Sequence, residues 1–257
     1  MSEIIVLTIY AFIGSIAGLI GGVILLFKKD WAKSLASVSV PLAAGVLLAL
    51  SLLDLLPEAV EKFGEKAFGV VLIVFVILFM IERFFFYLHH HQEEGEKHLG
   101  HSHSEGETVI PLIIFGDTIH NFLDGVVIGA TYLINPSFGM LVSLSTFLHE
   151  TPHEIADFGI LLNRGWSRRN AFLANLFSSL ATFPGAFLTY FYADKIEQGV
   201  GILIASAAGF FLYVATTDFL PEATHAPRRY LGQQALFLLL GILVIVLIGY
   251  FFPEIGH

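Results

Sequence analysis

Long apolar runs, separated by short polar segments, dominate the chain. Eight of these runs are long enough to cross roughly 30 Å of hydrocarbon as a helix. They are too long and too continuous for the strands of a membrane β-barrel, and lipid admits only helices and closed barrels. The pattern therefore predicts an all-α integral membrane protein whose single transmembrane domain covers residues 1–257. The eight predicted spans are residues 4–27, 35–56, 67–88, 109–134, 138–162, 169–193, 198–221 and 231–253.

An internal repeat indicates how the spans are related. The segment Ala43–Ala59 aligns without gaps to Ala207–Ala223. The coinciding residues include Asp54 and Asp218, Pro57 and Pro221, and Glu58 and Glu222. The copies lie in the second and seventh spans and so cross the membrane in opposite directions. Inverted repeats recur in secondary transporters; two unrelated helix ends with Pro-Glu caps are the alternative explanation.

The distribution of basic residues predicts the orientation. Cytoplasmic loops carry the excess of Lys and Arg. With the N-terminus outside, the cytoplasmic segments hold Lys28, Lys29, Lys33, Arg83, Lys97, Arg164, Arg168, Arg169, Arg228 and Arg229, and the external segments hold Lys62, Lys66 and Lys195. We therefore expect a multi-pass protein of the cell membrane with both termini external.

Composition narrows the chemistry. The chain is 56% hydrophobic and 14% charged, which is typical of membrane proteins. It has no cysteine, so disulfides and thiolate metal sites are excluded. The chain has no run of basic residues that would indicate a nucleic-acid partner. The net charge of −9 says little about partners because much of it comes from carboxylates in loops. The N-terminus lacks the basic region of a signal peptide, which favours a retained first span.

Polar side chains interrupt the fourth and fifth spans at helical spacing. Residues three and four apart share one face of a helix. The fourth span carries Asp117, His120, Asn121 and Asp124, and the fifth carries His149, Glu150, His153, Glu154 and Asp157. Only a few residues around Asn135 join these spans, so we expect the two stripes to face each other on antiparallel helices.

The stripes predict a metal site. Residues 98–163 contain no Lys or Arg, and unpaired carboxylates inside a bilayer are expensive. Protons or a bound cation must therefore neutralise them. Imidazole combined with carboxylate suits Zn²⁺, Fe²⁺ or Mn²⁺ better than Ca²⁺ or Mg²⁺.

Two further groups of residues are candidates for secondary roles. Histidines crowd the predicted cytoplasmic loop over residues 89–108, and this composition indicates either transient metal binding or an ordinary hydrophilic linker. These histidines are His89, His90, His91, His98, His101 and His103. At the ends of the repeated spans we predict entry and exit stations for an ion, with solvated helix ends as the alternative. The entry residues are Asp54 and Glu58, and the exit residues are Asp218, Glu222 and His225.

The segments HNFLDGVVIG (residues 120–129) and HETPHEIADFGILL (residues 149–162) resemble the signatures of the ZIP (Zrt/Irt-like) metal transporters. The segment at residues 149–162 is most similar to that of the LIV-1 branch. The resemblance covers essentially the whole chain. It implies eight helices in a 3+2+3 inverted-repeat arrangement, an elevator-like motion and a homodimer. It also implies import of Zn²⁺ as substrate, with Fe²⁺, Mn²⁺ or Cd²⁺ as alternatives, and no organic cofactor.

Carried over by motif position, the resemblance implies metal ligands in the fourth and fifth spans. These are His120, Asn121, Asp124, His149, Glu150 and His153, with Asp117, Glu154 and Asp157 as additional metal or proton sites. Thr182 departs from the pattern: some bacterial members have at this position a Glu that completes a two-metal centre. The number of metals per centre therefore stays open.

Two other functions match parts of the pattern. HETPH has the H-E-x-x-H spacing of zinc proteases, and Leu123-Asp124-Gly125 resembles a motif of intramembrane metalloproteases. The two motifs occur in the reverse of the protease order, and Pro152 lies between the histidines. A membrane metal sensor without transport is the remaining alternative. We predict a transporter, not an enzyme.

Overall fold

The structure is a computed structural model of the protein and describes residues 2–96, 109–192, 195, 199–225 and 228–251. Within these ranges every regular element is helical, which confirms the all-α prediction. The α-helices are α1 (Glu3–Gly14), α2 (Ile20–Phe27), α3 (Lys29–Ala49), α4 (Leu56–Phe63), α5 (Lys66–Glu96), α6 (Val109–Ile134), α7 (Pro136–Asn163), α8 (Arg168–Ser179), α9 (Thr182–Tyr192), α10 (Gly199–Val214), α11 (Leu220–His225) and α12 (Leu231–Phe251). A 3₁₀ turn, Arg228–Tyr230, precedes α12.

Four helical segments in the described part of the chain are long and apolar enough to cross a membrane. They are Asp30–Phe63, Arg168–Tyr192, Gly199–Ala223 and Leu231–Phe251. Large apolar side chains are exposed along α5 and α12, whereas many polar side chains are buried inside. An apolar exterior around a polar interior suits a molecule surrounded by lipid, and the protein is a multi-pass membrane protein.

Several predicted spans differ from the structure in their bounds or continuity. The helix predicted to end at residue 88 continues to Glu96, so the first part of the histidine tract has a helical backbone. The first predicted span is interrupted between α1 and α2, where Gly18 lies against α7: a Cβ on Gly18 would come 2.7 Å from Cβ of Glu150. The sixth span is interrupted between α8 and α9, and Pro184 lies in the first turn of α9, where proline is tolerated.

The repeated segments both contain a π-helical turn. These turns, Leu50–Leu55 and Ala215–Phe219, overlap in the alignment and contain Asp54 and Asp218. Each is followed by the repeat's proline, Pro57 or Pro221. A proline cannot donate to the carbonyl four residues earlier, and its ring collides with that carbonyl in a regular α-helix. The wider turn accommodates the proline and lets the helix continue.

Glycines bring two helix pairs into backbone contact. α3 packs along α12 and α6 packs along α9. A Cβ on Gly45 would lie 2.1 Å from the carbonyl oxygen of Leu238 in α12, and one on Gly125 would lie 2.0 Å from that of Thr182 in α9. Only glycine, which has a hydrogen atom where other residues have Cβ, fits at these two positions. Close packing through small residues is common between membrane helices.

The connection between α6 and α7 is as short as predicted. Asn135 caps α7 by accepting a hydrogen bond from the backbone N–H of Ser137 at 2.8 Å, and Pro136 occupies the first position of the helix. Proline suits that position because its missing N–H has no intrahelical partner there. The two helices therefore pack against each other as neighbours, with their polar stripes in contact.

Candidate metal centre

Four side chains of α6 and α7 bring one donor atom each to a common point. They are His120, Asp124, His149 and Glu150, and their donor atoms all lie within 4.8 Å of one another. The two Nε2 atoms of the histidines are 3.2 Å apart. Nε2 of His120 lies 3.6 Å from Oδ2 of Asp124 and 3.1 Å from Oε1 of Glu150, and the corresponding distances from Nε2 of His149 are 3.2 and 3.6 Å. We call this set the four-donor cluster.

These separations match those around a tetrahedral zinc ion. With zinc–nitrogen and zinc–oxygen bonds of about 2.0–2.1 Å, the ligand atoms of a regular tetrahedron lie about 3.3–3.4 Å apart. The five separations just given fall between 3.1 and 3.6 Å, around that value. The arrangement can therefore accept a zinc ion with little rearrangement of the helices.

The carboxylates of the four-donor cluster are buried, and their oxygens accept no hydrogen bonds from the described residues. Asp124, His149 and Glu150 have no exposed surface, and both side-chain oxygens of Asp124 and of Glu150 lack a hydrogen-bond donor. The Nε2 atoms of His120 and His149 lie 3.1–3.6 Å from these carboxylates. Buried carboxylates need hydrogen bonds, a charge partner or a metal, so a dication bound among them would balance their two negative charges.

A backbone contact orients the imidazole of His149. Its Nδ1 lies 3.2 Å from the carbonyl oxygen of Ser145, one turn earlier in α7. When Nδ1 carries the proton and donates it to that carbonyl, the lone pair is on Nε2, which faces the other three donors. Metal-binding histidines usually have such a partner on the second nitrogen.

His153 belongs to a second group of residues. Its Nδ1 lies 3.8 Å from Oδ1 of Asp117 and 3.8 Å from Oδ2 of Asp157. We call these three residues the three-donor cluster. The His153 ring stacks on that of His120 with centroids 4.9 Å apart, so the two clusters adjoin. The structure thus divides the predicted ligands between two neighbouring groups.

Asn121 contacts the three-donor cluster and uses its amide in hydrogen bonds. Its Nδ2 donates to Oδ1 of Asp117 at 3.0 Å and to the Asp117 carbonyl at 3.1 Å, while its Oδ1 accepts from the Thr182 hydroxyl at 3.3 Å. A ligand role for Asn121 stays a prediction. Thr182 stands beside this amide, and the number of metals per centre stays open.

Sequence reasoning missed two serines of α8. Ser178 donates a hydrogen bond to Oδ2 of Asp117, and Ser179 donates to Oε1 of Glu154 at 3.2 Å. Both serines are buried. Their sequence signal is a pair of adjacent hydroxyl residues inside an apolar span. Glu154 is also buried, but it belongs to neither cluster.

Four of the predicted entry and exit residues, Asp54, Glu58, Asp218 and Glu222, lie outside both clusters. Asp54 and Glu58 are buried, and Glu58 forms an ion pair with Lys62 at 3.2 Å. Asp218 is exposed and accepts a hydrogen bond from the Thr217 hydroxyl at 3.0 Å. Glu222 lines a cavity of about 730 Å³ together with Lys33, Ser34, Ser37, Tyr230, Gln233 and Gln234.

Several predicted histidines fall outside the described side chains. His98, His101 and His103 lie outside the described residues altogether. For His89, His90, His91 and His225 the structure describes the backbone, which is helical, and not the side chain. Metal binding by the histidine tract and an exit role for His225 stay predictions.

Comparison with known proteins decides the family. The model of the ZIP zinc transporters matches residues 2–111 and 105–249. The chain belongs to the ZIP family. It is similar to the zinc transporter foi of Drosophila melanogaster, with 38% identity over 153 residues that make up 57% of this chain and 21% of that protein. The zinc transporter ZIP10 of Danio rerio is 40% identical over 114 residues, or 44% of this chain and 14% of that protein.

Human zinc transporter ZIP4 is 44% identical over 110 residues, or 43% of this chain and 17% of that protein. Matches to ZIP4, ZIP6 and ZIP10 confirm the resemblance to the LIV-1 branch. The aligned part of the chain spans about a fifth or less of the length of foi, of ZIP10 and of ZIP4.

ZIP proteins are transporters, not enzymes, which removes the protease interpretation. The geometry of the H-E-x-x-H segment agrees. A zinc protease needs both histidines on one metal and the glutamate free as a base. Here the donor atoms of His149 and His153 belong to different clusters, and Glu150 contributes a donor to the four-donor cluster.

Proposed function

We propose that this protein carries Zn²⁺ across the cell membrane into the cytoplasm through the four-donor cluster. The observation that carries the proposal is the near-tetrahedral spacing of two imidazoles and two carboxylates inside the helix bundle. Nitrogen and oxygen donors at these distances suit zinc, and the two carboxylate charges balance a dication. The relatives are named as zinc transporters, which agrees with this choice of ion.

We further propose that eight spans form a 3+2+3 inverted repeat, with spans 1–3 related to spans 6–8 and spans 4 and 5 related to each other. Helix pairing supports this plan. α3, in the second span, packs along α12 in the eighth, and α10, in the seventh, packs along α5 in the third. A two-fold relation exchanges these two pairs. In the same way, α7 packs on α1 and α2, and α6 packs on α8 and α9.

The predicted orientation gives the ion a route. With external termini, Asp54 and Glu58 lie towards the outside and the exit residues Asp218, Glu222 and His225 lie towards the cytoplasm. The cavity beside Glu222 would then open on the cytoplasmic side. An elevator-like movement and a homodimer, both implied by the family, stay predictions.

Zinc uptake should respond to membrane potential. Two positive charges moving inward gain roughly 4–5 kcal/mol per 100 mV of inside-negative potential, which supports about a thousandfold concentration ratio. In proteoliposomes clamped with valinomycin, we expect ⁶⁵Zn²⁺ uptake to accelerate as the interior becomes more negative. Acidic medium should inhibit uptake because a protonated imidazole has no lone pair for the metal.

The competing mechanism is exchange with protons. Uptake that does not depend on the membrane potential and follows an imposed pH step would contradict passive import. Glu154 and Asp157 would then be the first residues to test as proton carriers.

Absence of any saturable uptake, with zinc still bound, would instead favour a metal sensor. Competition by Fe²⁺, Mn²⁺ and Cd²⁺ in the same vesicles ranks the candidate substrates.

Deleting residues 92–106 should alter the apparent affinity or the regulation of uptake and leave transport measurable. Histidines in a flexible loop bind metal without preformed geometry, so they are expected to adjust transport rather than enable it. The measurement is the concentration dependence of ⁶⁵Zn²⁺ uptake, with insertion checked by the amount of protein recovered in vesicles. An inserted deletion variant without uptake would place the loop on the transport pathway.

A further inference from the structure

α2 and α7 run in the same direction and end at the same face of the helix bundle. A Cβ built on Gly14, in α1, would lie 3.4 Å from Cβ of Thr146, and one built on Gly22, in α2, would meet the ring of Phe158. The contacts therefore advance together along both segments towards their C-terminal ends. α8 begins after a short connection, residues 164–167, so its first turn lies at this face as well.

The chain is strongly basic at this face. Residues 27–33 and 163–170 contain six basic residues and a single acidic one, Asp30, although the whole chain has a net charge of −9. We call four of the six, Lys28, Arg164, Arg168 and Arg169, the basic edge. Their side chains are exposed, and none of the four pairs with a carboxylate among the residues that the structure describes. Their charge is left for a partner outside the protein to balance.

A hydrogen-bonded turn places the three arginines of the basic edge. Gly165 has a φ of 86°, the left-handed conformation that ends many helices. Its backbone N–H donates to the carbonyl of Leu162, and that of Trp166 donates to the carbonyl of Leu161, both at 3.1 Å. Ser167 then caps α8 with its side-chain oxygen. Because these bonds hold the turn, the arginines within it and just after it keep a defined spacing.

The outward face of α8 continues from the basic edge into an apolar surface. Arg169, Leu173 and Phe177 follow one another at intervals of four residues, so they share one face of the helix. All three are exposed, and Phe177 is exposed to 79%. The other face of α8 holds Ser178 and Ser179, which are buried against the candidate metal centre. An exposed cation followed by exposed apolar side chains matches a phospholipid, which has a charged headgroup and apolar acyl chains.

Both tryptophans of the chain lie beside the basic edge. Nζ of Lys28 lies 3.9 Å from the ring centroid of Trp31, whose side chain is 64% exposed. Trp166 is half-buried and packs against the apolar cluster that contains Leu26 and Leu161. Tryptophan is enriched at the boundary between lipid and water. The two rings therefore place the basic edge at the level of the lipid headgroups.

We propose that the basic edge binds the headgroups of anionic phospholipids, with their acyl chains along the outward face of α8. Arginine side chains in a fixed spacing suit the oxygens of a phosphodiester, which they contact through two N–H groups at once. In the predicted orientation these lipids belong to the cytoplasmic leaflet, which carries the anionic lipid. The inference does not depend on zinc transport. It places a selected lipid on the helix whose buried face donates hydrogen bonds to Asp117 and Glu154.

Tryptophan fluorescence of the full chain in vesicles tests this binding, because the only two tryptophans, Trp31 and Trp166, lie at the proposed site. Vesicles of phosphatidylcholine would contain increasing fractions of a brominated lipid, either phosphatidylglycerol or phosphatidylcholine, and bromine quenches the nearby rings. Each basic residue near the surface favours an anionic lipid by about fivefold. We therefore expect phosphatidylglycerol to associate at least about tenfold more strongly than phosphatidylcholine. Both leaflets have the same composition, so the result does not depend on the orientation of the protein.

A variant without the three arginines locates the site. Arg164→Gln/Arg168→Gln/Arg169→Gln should lower the preference for phosphatidylglycerol at least about fivefold. The matched control Lys62→Gln/Lys66→Gln/Lys195→Gln removes the same charge at the opposite ends of the spans and should keep the wild-type preference. Equal quenching by the two lipids in the wild type, an unchanged preference in the arginine variant, or a preference lost in the control would each overturn the proposal.

Ionic strength decides the question should the arginine variant fail to fold. In about 1 M salt the range of a charge falls to about 3 Å, so the preference of the wild type for phosphatidylglycerol should largely disappear. A preference that persists at this salt concentration would come from packing of the lipid and would contradict binding by the basic edge. The single change Arg169→Gln, at an exposed position, should lower the preference by a smaller factor than the triple change.

Discussion

Replacing His149 with alanine should abolish saturable zinc uptake and weaken zinc binding at the four-donor cluster at least about 100-fold. Loss of a residue that merely orients a ligand typically costs 10–100-fold in affinity, and His149 is a donor itself. Its Nε2 lies within 3.6 Å of all three other donors of the cluster. The imidazole is fully buried, so water has no open access to replace it. The measurements are ⁶⁵Zn²⁺ uptake in proteoliposomes and equilibrium binding to the purified protein.

A matched control lies on the same helix. Asn163→Ala also converts a polar residue to alanine in α7, but Asn163 is exposed at the end of that helix. We expect it to transport and bind as the wild type does. Normal uptake by a well-inserted His149→Ala variant would show that the four-donor cluster is not the transport site.

Replacing Gly125 with alanine should destabilise the protein by about 3 kcal/mol, the upper end of overpacking costs, and strongly reduce uptake. The new methyl carbon would lie 2.0 Å from the Thr182 carbonyl oxygen and 2.9 Å from the Ala186 backbone nitrogen. Carbon–oxygen contacts of this kind normally measure about 3.3 Å or more. Both obstacles are backbone atoms, so α6 and α9 must separate by more than about 1 Å.

That separation would reach the site, because Asn121 on the same helix accepts a hydrogen bond from Thr182 at 3.3 Å. Thermal unfolding in detergent and vesicle uptake measure the two effects. Gly116→Ala is the control: Gly116 is also in α6, and a Cβ there meets nothing within 4 Å. If both variants were equally stable and active, backbone contact between α6 and α9 would not be what holds these helices in place.

The sequence predicts which helices carry the candidate metal ligands, but not which ligands belong to which of the two clusters. Hydropathy and spacing were enough to place the stripes of α6 and α7 on facing helices. They could not separate His149 from His153, because residues four apart share a helix face although they lie about 6 Å apart along its axis. Which of them meets His120 depends on how far α6 has slid along α7, and packing sets that offset.

Contacts between distant segments explain the other omissions. Ser178 and Ser179 gain their role from α8 packing on α6 and α7, which no local pattern in the sixth span reveals. The interruption of the sixth span before α9 could have been predicted from Pro184 in the sequence. The interruption after α1 depends on how closely Gly18 approaches Glu150 in α7, which spacing along the first span does not reveal.

The π turns of the repeat bear on the history of the protein. The widened turn, its aspartate and its following proline occur at aligned positions in Leu50–Leu55 and Ala215–Phe219. If the proposed inverted repeat arose by duplication, the ancestral half already contained this turn. Divergence then gave the copies different surroundings, since Asp54 is buried and Asp218 is exposed. If only one of the two copies had the wide turn in every early-branching lineage, separate origins of the two turns would be favoured.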